Sequence, residues 1–549
     1  MNEEETSTSR GTTAKNDSQS KMLSGSAWMT AGSIASRLLG ALYIIPWVTW
    51  FGSYSNVANA LFAQGYNIYN IFIIISTAGI PSAISKLVAH YNGIDQYIIS
   101  QRLYRTGMYV AAVMGIVGAT VMMFGAALMD NGDPNVIPVI QSLAWAILII
   151  PGISITRGYL QGYNWMAPSA MSQFVEQLCR IIYMLAATYL IMKIGSGNWV
   201  SAVTQSTFAA FIGAVGAAAV LMFSRLRHAG EMREMARHSV KTADVSVMDM
   251  VIKIIYQSIP FVIIESGIAV YQLIDQYSFP RMMSLVGHFS RYQIQVIYAL
   301  FAFNANKLYM IIISLASAMA VTVIPLLATA RVQNDQAEMK KQIENVLMLF
   351  YFVMIPAALG LSAVAQQIYT VFYRYDAAGV VVLEFAAFIS IPMGLYTVGA
   401  AMMQGISENR RMMKFLAIGL VIKLLIQYPC IWLLQGLGPL MATGISMMVV
   451  NYLILHSFNM EFRLRFDEMA RPTNQILCFS LIMFALTKLV MVLIDHFVSP
   501  YGRYTAFFSL IPGVLVGMVA YAYLALKFRL ADRVIGARSE FLRRKLHIH

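Results

Sequence analysis

Charge is scarce in this 549-residue chain: Asp, Glu, Lys and Arg together make up 12% of it, where a soluble protein carries about a quarter. Hydrophobic residues reach 58%. They come in blocks of about 20 or more, enough to cross a hydrocarbon layer of about 30 Å as helix. A soluble globular fold is excluded. The blocks run apolar without alternating, which excludes a membrane β-barrel. Cysteine is nearly absent: Cys179, Cys430 and Cys478 all fall inside apolar blocks, with neither the spacing of a metal site nor a disulfide framework. No Walker A sequence is present. The long outer loop with acids or histidines expected of a membrane glycosyltransferase is also missing. The chain therefore reads as a non-enzyme without a cofactor, leaving membrane potential, protons or sodium as sources of coupling.

What is present is an all-α polytopic membrane protein. Fourteen apolar spans are predicted at 23–50, 60–91, 103–128, 136–160, 167–193, 199–224, 250–280, 297–330, 343–372, 379–405, 412–435, 438–461, 474–496 and 503–527. The net charge of +13 raises the question of nucleic acid, but its distribution answers otherwise. With the N-terminus inside, 29 of the 39 Lys and Arg face the cytoplasm, and only Lys193, Arg281, Arg291, Lys307, Arg374 and Arg503 face outward. That is positive-inside asymmetry, placing both termini in the cytoplasm and the protein in the cytoplasmic membrane. Basic loops there meet anionic lipid, and no nucleic-acid partner is needed. The Ser/Thr-rich, initially acidic segment 1–22 reads as a disordered cytoplasmic tail rather than a signal peptide.

Two halves emerge when the sequence is laid over itself. Ile68 onward matches Leu308 onward, at an offset of 240. Ile150-Pro151 and Gln161-Gly162 match Ile391-Pro392 and Gln404-Gly405, and Arg180 falls on Lys423. An offset of six spans preserves orientation, so the repeats are parallel. The expected organisation is an N-lobe at 23–225, a charged cytoplasmic linker with an interfacial helix at 226–249, and a C-lobe at 250–462. Two further helices follow at 463–528, then a basic cytoplasmic tail at 529–549 suited to the inner-leaflet surface. Prolines inside the spans, among them Pro81, Pro151, Pro260, Pro325 and Pro392, predict bends that neighbouring helices compensate.

Charges near a bilayer centre cost about 2.5–3.5 kcal/mol each on insertion scales, so every one needs a reason. Ser26, Thr30, Ser33, Arg37 and Gly40 repeat at three or four residues and make one polar stripe, flanked by Ser36. The stripe reads as the wall of a cationic cavity, or as a small-residue helix contact. Arg37 lies too deep to snorkel easily, which favours the cavity. Glu265, Gln272, Asp275 and Gln276 fall near one face of the seventh span. They mark an ion or proton site, or partners for the deep Lys423. Glu176 and Arg180 form an i, i+4 pair, read as mainly structural. Lys86 and Lys307 lie near opposite mouths, either guiding an anionic headgroup or resting at the interface.

Ser36-Arg37-Leu38-Leu39-Gly40 and the run Gly436-Leu437-Gly438-Pro439-Leu440-Met441-Ala442-Thr443-Gly444-Ile445-Ser446 carry a resemblance to the MOP exporter superfamily. The two extra helices and the Asp275…Pro280-Arg281 stretch resemble the branch of stage V sporulation protein B and the Gram-positive MurJ-type lipid II flippases. The resemblance covers about residues 23–527. It implies a monomer in which two lobes alternate access around a cationic cavity that accepts an undecaprenyl-diphosphate-linked glycan amid membrane lipids. It assigns substrate binding to Arg37 with Ser36 and Ser33, aided by Lys86 and Lys307. Where Gram-negative members look more basic, Tyr43 and Ile73-Ile74 stand here. Some members have a sodium site near the position of Lys423, whose ammonium takes the ion's place. Three alternatives stay open: a flippase for another polyprenyl-linked polysaccharide, a multidrug–cation antiporter, and a membrane glycosyltransferase.

Overall fold

Inside a bilayer, backbone N–H and C=O groups must satisfy one another within a segment, so each apolar run closes into helix. The computed structural model describes residues 40, 43–77, 79–240, 246–535 and 543–545, and among these no residue is in a strand. The Ser26–Arg37 stripe, with the expected site residues Ser33, Ser36 and Arg37, lies outside the described residues. Ten segments among the described residues are long and apolar enough to span a membrane. One of them, 409–462, is two helices folded on each other. A total near fourteen is consistent with this.

The chain forms two compact units, divided between Ser266 and Gly267. The first holds α1 (Ile44–Phe51), α2 (Ser55–Thr77), α3 (Ile80–Gly93), α4 (Tyr97–Met129), α5 (Val136–Gly162), α6 (Met166–Tyr189), α7 (Trp199–Arg227), α8 (Ala229–Arg237) and α9 (Val247–Glu265). The span expected over 60–91 is two helices, α2 and α3. Gly79 adopts φ +71°, a left-handed conformation that glycine tolerates, and Pro81 in the first turn of α3 cannot continue the preceding helix. The seventh span also breaks, at Ser266. Its first part, α9, packs on α2, α3 and α4. Within the linker expected at 226–249, residues Ala229–Arg237 form α8, whose Met232 is buried.

The second unit holds α10 (Gly267–Val286), α11 (Arg291–Ala299), α12 (Asn306–Val332), α13 (Gln336–Ala363), α14 (Ala365–Tyr373), α15 (Ala377–Gly405), α16 (Asn409–Leu434), α17 (Gly438–Phe462), α18 (Phe466–Phe497), α19 (Arg503–Lys527) and α20 (Leu530–Ile535). The repeat is visible inside each unit taken alone. In the first, α5 is the most buried span and packs on α2, α3, α4 and α7, while α6 pairs with α7. In the second, α15 is the most buried span and packs on α12, α13 and α17, while α16 pairs with α17. The Pro and Gln-Gly matches fall on those two central helices, with Pro151 inside α5 and Pro392 inside α15.

Candidate functional site

Among the described residues, the repeat positions Arg180 and Lys423 each sit in a charged cluster, and the two clusters differ in construction. In the first unit, Glu176 on α6 accepts from two arginines. Arg157 of α5 donates through Nη2 to Oε2 at 2.9 Å, and Arg180, one turn along α6, donates through Nη2 to Oε1 at 3.0 Å. Arg157 Nε also donates to Ser172 Oγ at 2.9 Å, which fixes the guanidinium plane. Tyr66 of α2 accepts from Arg180 Nη1 at 3.4 Å. Arg180 Nε is buried without a hydrogen-bond partner.

Close approach of α7 builds this cluster. A Cβ on Gly213 would lie 2.6 Å from the Glu176 carbonyl oxygen and 3.2 Å from Arg180 Cβ, so only glycine lets α7 press α6 at that level. The side chains of Arg157, Glu176 and Arg180 keep 18%, 19% and 19% of their surface open. The balance is two cations to one anion. Arg180 lies 14 residues into α6, or about 21 Å along its axis, far from the helix start at Met166.

Gly40, the last residue of the Ser-Arg-x-x-Gly motif, sits against this helix: a Cβ there would be 3.4 Å from Gln177 Nε2. Short α1 also packs on α6. The motif therefore ends beside the α6 turn that holds Glu176.

In the second unit, Lys423 of α16 is fully buried. Its Nζ donates to Asp275 Oδ1 of α10 at 2.7 Å, to Thr443 Oγ1 of α17 and to the Pro439 carbonyl at 3.4 Å. Gln427, one turn further on, donates to the same Asp275 oxygen at 2.8 Å and to Ser278 Oγ at 3.2 Å. The ammonium stands 5.4 Å from the Tyr271 ring centroid. One cation meets one anion here. The Gly436–Ser446 motif supplies two of the oxygens around Lys423, those of Pro439 and Thr443. Gly438 makes this possible, because a Cβ there would lie 2.5 Å from Ile431 Cα and force α16 and α17 apart.

The remaining expected residues lie elsewhere. Glu265 ends α9 in the first unit, exposed and without an ion pair among the described residues. The break at Ser266 removes the single helical face that would have joined it to Asp275. Lys86 is exposed on α3. Lys307, in the first turn of α12, stands 5.4 Å from the Phe303 ring centroid. Lys488 of α18 pairs with Glu384 of α15 at 2.8 Å. Among the described residues no three His, Cys, Asp or Glu side chains converge as a metal ion requires.

Sequence reasoning missed Arg157. It lies near the end of the predicted span 136–160 and five residues from the end of α5, and only its spacing from Gln161, one turn away, marks it as facing the same side as a residue that bonds Ser169 on α6.

Comparison with known proteins identifies the family and the fold. The profile of a family described as "Polysaccharide biosynthesis protein" matches residues 22–331. The chain is 32% identical over 538 residues, 94% of its length and 97% of the relative's, to a Bacillus subtilis (strain 168) protein named lipid II flippase MurJ. Among solved structures, lipid II flippase MurJ in an inward closed conformation superposes with a TM-score of 0.62 at 15% identity, covering 91% of this chain and 98% of that one. An inward-facing multidrug resistance MATE family transporter of the MOP superfamily superposes at 0.58 and 14% identity, covering 77% and 98%. The chain belongs to the polysaccharide biosynthesis protein family and, within it, groups with the B. subtilis MurJ relative.

Proposed function

We propose that this protein moves a lipid-linked diphosphate glycan, lipid II as in the B. subtilis relative's name, from the inner to the outer leaflet. The observation that carries the reading is the first unit's cluster. Arg157 and Arg180 share a single carboxylate, and Arg180 keeps a donor with no acceptor. A diphosphate supplies the missing acceptors and the missing negative charge, and bidentate guanidinium donors suit its geometry. Arg37, three residues before Gly40, is the third cation, with Ser33 and Ser36 offering hydroxyls to the headgroup. Lys86 and Lys307 guide the anion at the two mouths.

The chemistry needs no bond to be made or broken, only a charge to be carried. An inside-negative potential contributes about 2.3 kcal/mol per charge per 100 mV. It favours outward movement of an anionic headgroup and inward return of the vacated, cationic cavity. Both strokes of alternating access are then downhill without ATP. Sodium does not fit the second unit's cluster, because the Lys423 ammonium already takes the oxygens of Asp275, Thr443 and Pro439 that a cation would need. The polyprenyl tail remains in lipid. Supporting this is an apolar groove of about 460 Å³ in the second unit between α12, α13, α14, α18 and α19, lined by residues such as Leu308, Ile312, Met483 and Val514.

A cation antiporter is disfavoured by the state of the intramembrane acids. Glu176 serves two arginines, Asp275 serves Lys423 and Glu384 serves Lys488. None of these three is left to exchange a cation, and Glu265, unpaired among the described residues, stands alone at the end of α9. Another undecaprenyl-diphosphate-linked polysaccharide satisfies the same cluster equally well. The protein works as a monomer with both termini in the cytoplasm, the 226–249 linker between an N-lobe and a C-lobe. Depletion in the host, with lipid-linked precursors quantified by leaflet, tests the reading. Inner-leaflet accumulation of lipid II with arrested wall synthesis is expected. Normal lipid II movement with a different polyprenyl-linked glycan trapped inside would contradict the lipid II assignment.

A further inference from the structure

A second cationic feature lies in the first unit, away from the Arg157–Glu176–Arg180 cluster. Where α4, α5, α7 and α8 meet, a pocket of about 330 Å³ is lined by Arg105, Arg225 and Arg233 together with Tyr104, Tyr159 and Gln101. Its lining includes no carboxylate, and none of the three guanidiniums makes an ion pair among the described residues. Arg225 is held in place from below, with Cζ 4.6 Å from the Tyr104 ring centroid. Tyr104 is fixed in turn by Thr156 at 3.2 Å and by the Tyr159 ring at 4.5 Å. Gln101 donates to the Met232 carbonyl at 3.3 Å, so the wall formed by α8 is tied to α4.

The pocket does not end at the arginines. Tyr104, Met222 and Arg225 also line a groove of about 270 Å³ that runs between α4, α5 and α7, past Leu221, Ile153 and Met108 toward Ala218. From Arg225 to Ala218 is seven residues, or about 10 Å along α7. The helix surfaces around it are apolar and exposed: Met222, Phe223 and Leu226 on α7 are more than half open, as are Val113, Ile116 and Val117 on α4. Such surfaces face hydrocarbon. A cationic pocket at the end of a lipid-facing apolar groove matches one molecule, an amphiphile with an anionic head.

We propose that pocket and groove together hold one anionic glycerophospholipid, its phosphate on Arg105, Arg225 and Arg233 and one acyl chain along α7. Charge complementarity chooses the head, since three unpaired guanidiniums ask for more than a zwitterion supplies. Continuity with the groove chooses a lipid over a free phosphate. Basic pockets between helices on the cytoplasmic side bind anionic headgroups in this way. The inner-leaflet placement rests on the positive-inside reading, whereas the binding itself does not depend on which glycan is transported. Occupancy would clamp α8 onto α4 and α7.

The test uses the full chain in detergent, incubated with equimolar dioleoyl phosphatidylglycerol and dioleoyl phosphatidylcholine and examined by native mass spectrometry. One retained phosphatidylglycerol, preferred at least tenfold, is expected. The preference should vanish in Arg225→Gln/Arg233→Gln. It should also fall in Ala112→Phe, which fills the groove from α4 and leaves every charge in place. Equal retention of both lipids by the wild-type chain overturns the proposal. So does a preference that survives Ala112→Phe and is displaced by inorganic phosphate, which would mark a phosphate site. Displacement by equimolar undecaprenyl phosphate overturns it too, giving the pocket to the transported lipid.

Discussion

Arg180 and Lys423 occupy the same place in the two repeats, and what surrounds them has gone opposite ways. Arg180 shares its carboxylate with a second arginine, stays about one-fifth open and keeps an unpaired donor. Lys423 has a carboxylate of its own, three oxygen acceptors and no exposed surface. A buried pair that balances and satisfies itself has nothing left to offer a ligand, and its desolvation cost offsets much of its attraction. A cluster with excess positive charge and access to water is a poor stabiliser but a ready anion site. Under the proposed function, equivalent positions in a repeat divide the work, one unit binding and the other holding its helices in register.

Several substitutions sharpen or break that comparison. The largest effect is expected from Arg157→Gln/Arg180→Gln, which removes both guanidiniums. Flipping should fall by more than about 30-fold, the equivalent of some 2 kcal/mol or more for a lost charge-assisted contact, and melting temperature should fall as well, because Glu176 loses both of its cations. A radiolabel or protease-accessibility assay of the flipped lipid reads this directly. Lys423→Met alone should cost about 3–5 kcal/mol of stability by leaving Asp275 uncompensated in the membrane. Adding Asp275→Leu should restore most of that loss and preserve flipping, as thermal unfolding in detergent and the same transport assay would record. Failure of the double variant to transport would mean that the second cluster does more than hold helices.

Smaller effects follow. Thr443→Val deletes one acceptor of the buried ammonium, and a loss of about 1–3 kcal/mol is expected with transport near normal. Glu176→Gln frees both arginines, so the binding of a lipid diphosphate should tighten while its turnover slows. An equilibrium binding assay beside the transport rate separates the two. Lys86→Ala, on an exposed position, should change stability by no more than about 0.5 kcal/mol and reduce transport only modestly.

Much of this was readable from the residues. Apolar blocks located the helices, since only helix satisfies the backbone in lipid, and the Pro151/Pro392 and Arg180/Lys423 matches exposed the repeat. The pairing of Asp275 with Lys423 was one of two readings left open. The breaks were harder, because a helix interruption inside an apolar run alters no hydropathy; Gly79 before Pro81 was the available sign. Once Ser266 broke the seventh span, the shared face of Glu265 and Asp275 disappeared. Arg157 was hidden because depth is judged from span ends, and it lies near one. Glu176 was legible as the partner of Arg180, but an i, i+4 spacing cannot reveal a third member arriving from another helix. The packing of α5 on α7, and of α7 on α6 at Gly213, turns a helical pair into a cluster with excess charge.

The most direct test replaces the only copy of the protein in its host with Arg157→Gln/Arg180→Gln, expressed at wild-type level, and measures lipid II by leaflet. A parallel strain carries Lys423→Met/Asp275→Leu. The account predicts lipid II trapped in the inner leaflet of the first strain and a normal distribution in the second. Normal outer-leaflet lipid II in the arginine variant would contradict it.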